Sequence, residues 1–232
     1  MKKNRLSFSE NTFKYFDSAQ KNRKNKDWFE KHKDEYTAYV QEPFEELTEL
    51  LYINFASELP KINFLPRRIS RPVRRNPYED VGVISTKATA YFSEKPTSQF
   101  EWNPGIYISI GHDPDDNVFG LGLYMVSSRQ MNLLRNGIVE DFENIDAILS
   151  SKKLSQHWEI LRGEVYKRFP RGYDEASEAA KYLRHKQFFL GQDLSPKQIC
   201  QKNFFESVVK DIEVSLPFFC WVRDIVGVYR KQ

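Results

Sequence analysis

The apolar residues of this chain change period twice, and that double change restricts the fold more than any other feature. Residues 7–20 carry Phe8, Phe13, Phe16 and Ala19 at helical spacing behind Ser9, a plausible N-cap. A polar break over residues 21–26 precedes a second, longer helical pattern with Trp28, Phe29, Tyr36, Val40, Phe44, Leu47, Leu50 and Leu51. Asp27 is expected to cap that helix and Pro43 to kink it. From Ile62 the period moves toward two, with β-rich stretches over residues 63–73, 81–92, 105–110 and 118–125. Residues 112–117 are dense in Asp and Asn, which tolerate the backbone angles of a reversal, so they join the last two stretches as a hairpin. Beyond Ser127 the helical period returns through Met131, Leu134, Ile138 and Phe142, then Ile145, Ile148 and Leu149, then Leu154, Trp158 and Leu161. Residues 176–183 form a short helix, residues 187–190 return as an edge strand, and Ser195 caps a helix with Pro196 at its first position. The apolar stretch over residues 214–229 packs the C-terminus down. This order predicts the α+β class, an antiparallel sheet flanked by N-terminal and C-terminal helices, in a single domain spanning residues 1–232.

At 232 residues, with 40% hydrophobic and 15% aromatic side chains, a sizeable core is within reach. Lys and Arg total 35 against 32 Asp and Glu, so the net charge is only +3 and any basic character is local. That balance lacks the global excess of proteins that coat nucleic acid, so nucleic acid is not a favoured partner. Cys200 and Cys220 are too few for a disulfide framework and have no metal-ligand spacing, so unpaired thiols and a cytoplasmic location are expected. No apolar run approaches the roughly 18 residues needed to cross a bilayer, and no apolar stretch follows the basic N-terminus as in an export signal. No membrane partner is therefore predicted, and the sequence leaves the oligomeric state open.

Local basicity concentrates in Arg67, Arg68, Arg71, Arg74 and Arg75, interleaved with Ile69, Ser70, Pro72 and Val73. On a strand, Arg67, Ile69, Arg71 and Val73 share one face while Arg68, Ser70 and Arg74 share the other, with Pro72 favouring an edge or a bulge. A guanidinium is a planar fork of donors suited to phosphate or carboxylate, so two or three on one face make an oxyanion cradle. The structural alternative has these arginines pair with Glu42, Glu45, Glu46 or Glu49 of the packed helices. Residues 170–174, Pro-Arg-Gly-Tyr-Asp, have the types of a positioned turn, with Gly172 permitting positive φ and Asp174 capping the next helix. Arg171 then either joins the strand arginines around one anion or bonds backbone carbonyls of its own turn.

Other patterns are weaker. Gly120-Leu121-Gly122 lacks the rest of a dinucleotide fingerprint and is expected to let a helix or a ligand approach the sheet. His32, His112, His157 and His185 show no metal spacing, and His112 with Asp113, Asp115 and Asp116 reads as a solvated turn, so neither metal nor cofactor is predicted. No nucleophile elbow, phosphate loop or cysteine with a base partner is present in the sequence.

Several blocks together carry a resemblance. Residues 25–36, Asn-Lys-Asp-Trp-Phe-Glu-Lys-His-Lys-Asp-Glu-Tyr, resemble the opening N-x-x-W-F-x-x-H-K-x-x-Y of domain-of-unknown-function family 2461, found in bacteria and fungi. Arg68 to Arg74 is similar to that family's R-x-x-R-D-x-R, residues 105–107 to its G-x-Y strand, residues 120–124 to its G-x-G-x-aromatic strand, and residues 170–174 to its P-R-G-[FY]-D turn. The resemblance spans nearly the whole chain and implies a fold without an established activity. Members commonly continue the arginine segment as F-S-K-D-K-x-P-Y-K, whereas Arg75-Asn76-Pro77-Tyr78-Glu79-Asp80 follows here and Pro72 replaces the aspartate. Chemistry done by that lysine-rich turn in relatives is therefore lost in this chain or supplied by Lys87 or Lys95.

These features support two function classes. The first is a binding protein for an anionic small molecule bearing phosphate or carboxylate, held by Arg68, Arg74 and Arg171 between aromatic walls from Trp28, Tyr78 and Tyr107, with His32 at the rim. The second is an enzyme on a phosphorylated or carboxylated substrate, in which the same arginines stabilise developing negative charge and His32 or a tyrosine moves a proton. A blander third reading is a scaffold that docks another protein through its aromatic surface. The binding class is preferred, with Arg68, Arg74 and Arg171 expected to converge near Trp28 and Tyr107.

Overall fold

A computed structural model describes residues 7–65, 69–74, 82–94 and 102–227. It shows the expected α+β architecture, with four strands in the order β1-β2-β3-β4 forming an antiparallel sheet: β1 Lys87–Ser93, β2 Gly105–Gly111, β3 Val118–Leu123 and β4 Phe188–Asp193. The chain clusters into two compact units, the first Met1–Phe92, Tyr107–Phe119 and Asp193–Val209, the second Ser93–Ile106, Gly120–Gln192 and Lys210–Gln232.

In the first unit, helix α1 (Glu10–Lys21) starts at Ser9, whose amide donates to Thr12 Oγ1 at 3.1 Å. The break predicted over residues 21–26 is real but shorter, because Asn25 rather than Asp27 is the cap. Its side chain accepts from the Trp28 amide at 3.2 Å, and α2 (Lys26–Lys31) begins two residues earlier than a cap at Asp27 implies. The long helical pattern continues through α3 (Lys33–Tyr36), a π-helical turn (Thr37–Gln41) and α4 (Glu42–Phe55). The irregularity thus lies just before Pro43, not at it. Proline has no N–H to offer the carbonyl of Tyr39 four residues back, and Thr12 Oγ1 donates to that carbonyl instead, at 2.7 Å. Phe8 meets Phe44, Phe204 and Phe205 edge-on, with Phe8 and Phe44 centroids 4.9 Å apart, and these rings are buried together with Val40, Leu47 and Leu51.

Of the stretch expected to be a strand over residues 63–73, the described part contributes only two isolated antiparallel bridges, Ile69 with Ala90 and Val73 with Ile84. Four steps from Ile69 to Val73 (73 − 69) face six from Ile84 to Ala90 (90 − 84), so the pairing slips by two residues around Pro72. The reversal at residues 112–117 is a 3-10 turn, Pro114–Asp116. It is pinned more firmly than a solvated turn would be: buried Asn117 accepts from the Gly111 amide at 2.9 Å, Lys87 pairs with Asp116 at 2.5 Å, and His112 Nδ1 meets Asp17 Oδ1 at 2.7 Å.

In the second unit, α5 (Ser128–Glu140) opens with a reciprocal box between Ser127 and Gln130, followed by α6 (Phe142–Leu149) and the short α7 (Lys152–Ser155). The helical period read through Trp158 and Leu161 is overridden, since Leu161 adopts a positive φ of 48° and Glu159 pairs with Gly191 of β4. Helix α8 covers only Ala180–Leu183; Asp174 Oδ1 accepts from the Ala176 amide at 2.9 Å, closing a turn rather than starting the helix there. Further on, α9 (Pro196–Ile199) has the expected Ser195 cap, and α10 (Phe204–Gly227) begins well before the apolar stretch at residue 214. Among the described residues no helix is long and apolar enough to cross a membrane.

Gly120 and Gly122 on β3 both admit close neighbours within the second unit. A Cβ on Gly120 would lie 1.8 Å from the Phe189 ring, and one on Gly122, whose φ is +124°, would lie 2.4 Å from the Phe188 carbonyl oxygen and 3.1 Å from the ring of Phe218 on α10. The approach foreseen from the sequence is therefore made by the adjacent strand and by a helix.

Candidate functional site

The arginine segment runs along a groove of the first unit. Six residues of the helical run, Phe29, Lys33, Tyr36, Thr37, Gln41 and Glu45, line it opposite residues 69–73, and the space between holds about 380 Å³. That is within the range of small-ligand sites. Phe29 and Tyr36 are each 5% exposed and form its base, while Lys33 and Arg71 are exposed. Among the described residues no carboxylate pairs with either cation. Glu45 is held by Gln41, whose Nε2 donates to it at 2.8 Å.

Local structure explains this lining. Lys33, Thr37, Gln41 and Glu45 recur every fourth position and form a polar row beside the buried row of Tyr36, Val40, Phe44 and Leu47. The π-helical turn takes one residue more than an α-turn, with the Glu42 amide donating to the Thr37 carbonyl five residues back, so it sits in the middle of the rim. Burial raises the Tyr36 hydroxyl from 10.0 to about 12, and the nearby charge of Glu45 adds to the effect. Tyr15, buried beside Trp28 and Tyr36, is displaced upward by the same burial, and its hydroxyl has no hydrogen-bond partner among the described residues.

Of the ligand-binding residues singled out from the sequence, none that the structure describes, Arg74, Arg171, Trp28, His32 or Tyr107, is among those lining this groove. Arg68 and Tyr78 lie outside the described residues, as do Arg67, Arg75 and Lys95. Arg74, Trp28, His32 and Tyr107 belong to the first unit and Arg171 to the second. Arg74 is half-buried, and its Nη1 donates to the carbonyls of Gly82 at 3.1 Å and Ile84 at 2.9 Å, so it ties the segment to the chain beside it. These two bonds are to backbone carbonyls and contribute to the architecture of the segment.

Trp28 and His32 stack with ring centroids 4.3 Å apart and planes 17° from parallel. His32 Nδ1 lies 2.7 Å from the Trp28 carbonyl; a carbonyl only accepts, so Nδ1 is the donor in this contact. Tyr107 is half-buried on β2. Arg171 is exposed on its turn, where Gly172 has the expected positive φ, +87°, and Tyr173 donates to Asn136 Oδ1 at 2.7 Å. Lys87, a candidate replacement for the missing lysines, is engaged with Asp116.

Sequence reasoning missed Lys33 and passed over Arg71. Both carried signals: Lys33 starts the four-residue polar row, and Arg71 alternates with Ile69 and Val73, all three of which line the groove. A second polar cluster, also missed, lies in the second unit. There Asp211 meets His157 Nδ1 at 2.5 Å, accepts from Gln192 Nε2 at 2.8 Å and receives the Trp158 indole at its backbone carbonyl at 3.2 Å. Both carboxylate oxygens are thus taken, and the cluster reads as a clamp on α10. Among the described residues no group of three His, Cys, Asp or Glu side chains is arranged to hold a metal ion.

Comparison with known proteins gives one family: a model described as conserved hypothetical protein (DUF2461) matches residues 11–221, nearly the whole chain. No curated protein and no solved structure matches.

Proposed function

The chain belongs to the DUF2461 family, and we propose that it is a binding protein for an anionic small molecule bearing phosphate or carboxylate, held in the groove between the Phe29–Glu45 helical run and the arginine segment. The observation that carries this reading is the pair of exposed cations, Lys33 and Arg71, without a carboxylate partner among the described residues, above an aromatic base of Phe29 and Tyr36. An uncompensated guanidinium beside apolar rings favours a planar anion, since two parallel N–H donors match a carboxylate or phosphate edge and the rings keep water from competing. Arg68, adjacent in sequence to Ile69, enters the same proposal as a third cation, with Trp28 and His32 following on the helical run.

The test is a titration of inorganic phosphate, succinate and a panel of phosphorylated metabolites against wild type, Arg71→Ala, Lys33→Ala and Arg68→Ala, at low and at raised salt. Binding that weakens with salt and drops about tenfold or more in Arg71→Ala is expected, corresponding to about 1.5–3 kcal/mol for a charge-assisted contact. Equal affinity of all four proteins for every anion that binds would refute the reading.

A further inference from the structure

The arginine segment carries a second recognition element, in its backbone. Ser70 donates its amide to Thr89 at 2.7 Å, Pro72 accepts at its carbonyl from the Ser85 amide at 2.7 Å, and Arg74 donates its amide to Val83 at 2.9 Å. Residues 70, 72 and 74 therefore turn their main-chain groups toward the chain beside them. In extended backbone the amide and carbonyl of successive residues point to opposite sides, so Ile69, Arg71 and Val73 turn theirs the other way. Among the described residues the main-chain groups of these three make no hydrogen bond. All five residues 69–73 line the groove, these three among them. Pro72, which has no amide to give, occupies an inward position, so its absent donor weakens the inner pairing and leaves the outer row of donors intact.

From this we infer that the natural occupant of the groove is an extended peptide with acidic side chains, which adds as a strand to the open edge of Ile69, Arg71 and Val73. The inference rests on the proposed anion binding for its charge, and in place of a small molecule it makes the bound carboxylates those of acidic side chains on a peptide. The outward row offers amides and carbonyls together, with the roughly 6.6 Å repeat of an extended chain between Ile69 and Arg71 and a bend at Pro72 before Val73. A phosphate or a free carboxylate is chiefly an acceptor and too compact to meet a repeating row, whereas an extended peptide presents donors and acceptors at the same repeat.

Its alternate side chains then reach the groove, where Arg71 and Lys33 favour acidic ones and Phe29 and Tyr36 favour apolar contact. Lys33 and Glu45 stand twelve positions apart on the helical run (45 − 33), about 18 Å along a helix. The basic and acidic ends therefore differ, which gives the bound strand a preferred direction.

The experiment titrates the full chain, followed by two-dimensional NMR, with an acetylated and amidated pentapeptide of alternating valine and glutamate. Two versions of the same peptide, N-methylated on one or on the other alternating set of amides, and succinate with inorganic phosphate complete the set. Strand addition predicts that one methylated version loses at least tenfold in affinity while the other stays within about threefold of the parent. It also predicts that the amides of Ile69, Arg71 and Val73 gain protection from hydrogen exchange. Peptide binding that ignores both methylation patterns, or no binding of peptide at all, overturns the inference; if succinate or phosphate still binds in an Arg71-dependent way, the anion reading survives that outcome. Strand addition that is indifferent to Arg71→Ala and Lys33→Ala would instead refute the anion reading and keep the edge.

Discussion

Gly122→Ala and Gly172→Ala replace glycines that share a backbone peculiarity and differ in surroundings, so the pair isolates what close approach contributes to the second unit. Gly122 has φ +124° and Gly172 φ +87°, and both conformations disfavour a Cβ by about 1–2 kcal/mol. Around Gly172 a Cβ would meet nothing within 4 Å, so the conformational term stands alone there. At Gly122 the same atom would fall 2.4 Å from the Phe188 carbonyl oxygen and 3.1 Å from both Phe189 Cα and the Phe218 ring. A main-chain oxygen cannot rotate away as a side-chain tip can, so relief requires moving β3 from β4, an overpacking cost of about 1–3 kcal/mol. Alanine also removes unfolded-state freedom that glycine has, worth about 0.4–1 kcal/mol, but this gain is common to both variants and cancels in their difference. Gly122→Ala should therefore be less stable than Gly172→Ala by about 1–3 kcal/mol, or about 2–12 °C in Tm for a chain of this size. Urea unfolding followed by tryptophan fluorescence and thermal unfolding followed by circular dichroism both read it. Equal destabilisation of the two, within about 0.5 kcal/mol, would refute the close approach of β3 to β4.

Buried groups lead to two further expected outcomes. Tyr36 keeps its proton to about 12 in the folded state against 10.0 ordinarily, so between those values the unfolded state binds fewer protons and stability falls as pH rises. Unfolding titrations at stepped alkaline pH should show a shallower loss from pH 10 to 12 in Tyr36→Phe than in wild type, and identical slopes would contradict the burial of that hydroxyl. Cys200 and Cys220 are both unpaired, and burial raises both thiols. Alkylation without reductant should add two equivalents in denaturant by mass spectrometry and proceed far more slowly on the native protein; no labelling in denaturant would contradict the free thiols.

Much of the architecture was legible because local chemistry and global fold agree. The Ser9 and Ser195 caps, the reversal between β2 and β3, the positive φ of Gly172 and the return of residues 188–190 to a sheet edge are all set by residue type within a few positions. What the pattern missed depends on distant partners. The π-helical turn at Thr37–Gln41 leaves the Tyr39 carbonyl to a hydroxyl 27 residues away, and the two-residue slip around Pro72 depends on which residues of 84–90 it faces. Neither is written in a local period.

The candidate groove lies where these two irregularities meet. The sequence put Arg68 and Arg74 on one strand face as the expected cradle and left Arg71 on the other face, between Ile69 and Val73. With the pairing slipped, the segment makes bridges instead of a ladder, and the pair stays half-buried as the wall of a groove. Arg71 is then carried into the open, while Arg74, one step past the slip, is drawn onto the carbonyls of Gly82 and Ile84. An arginine that ties and an arginine that is offered thus stand three positions apart on one segment, on either side of Pro72.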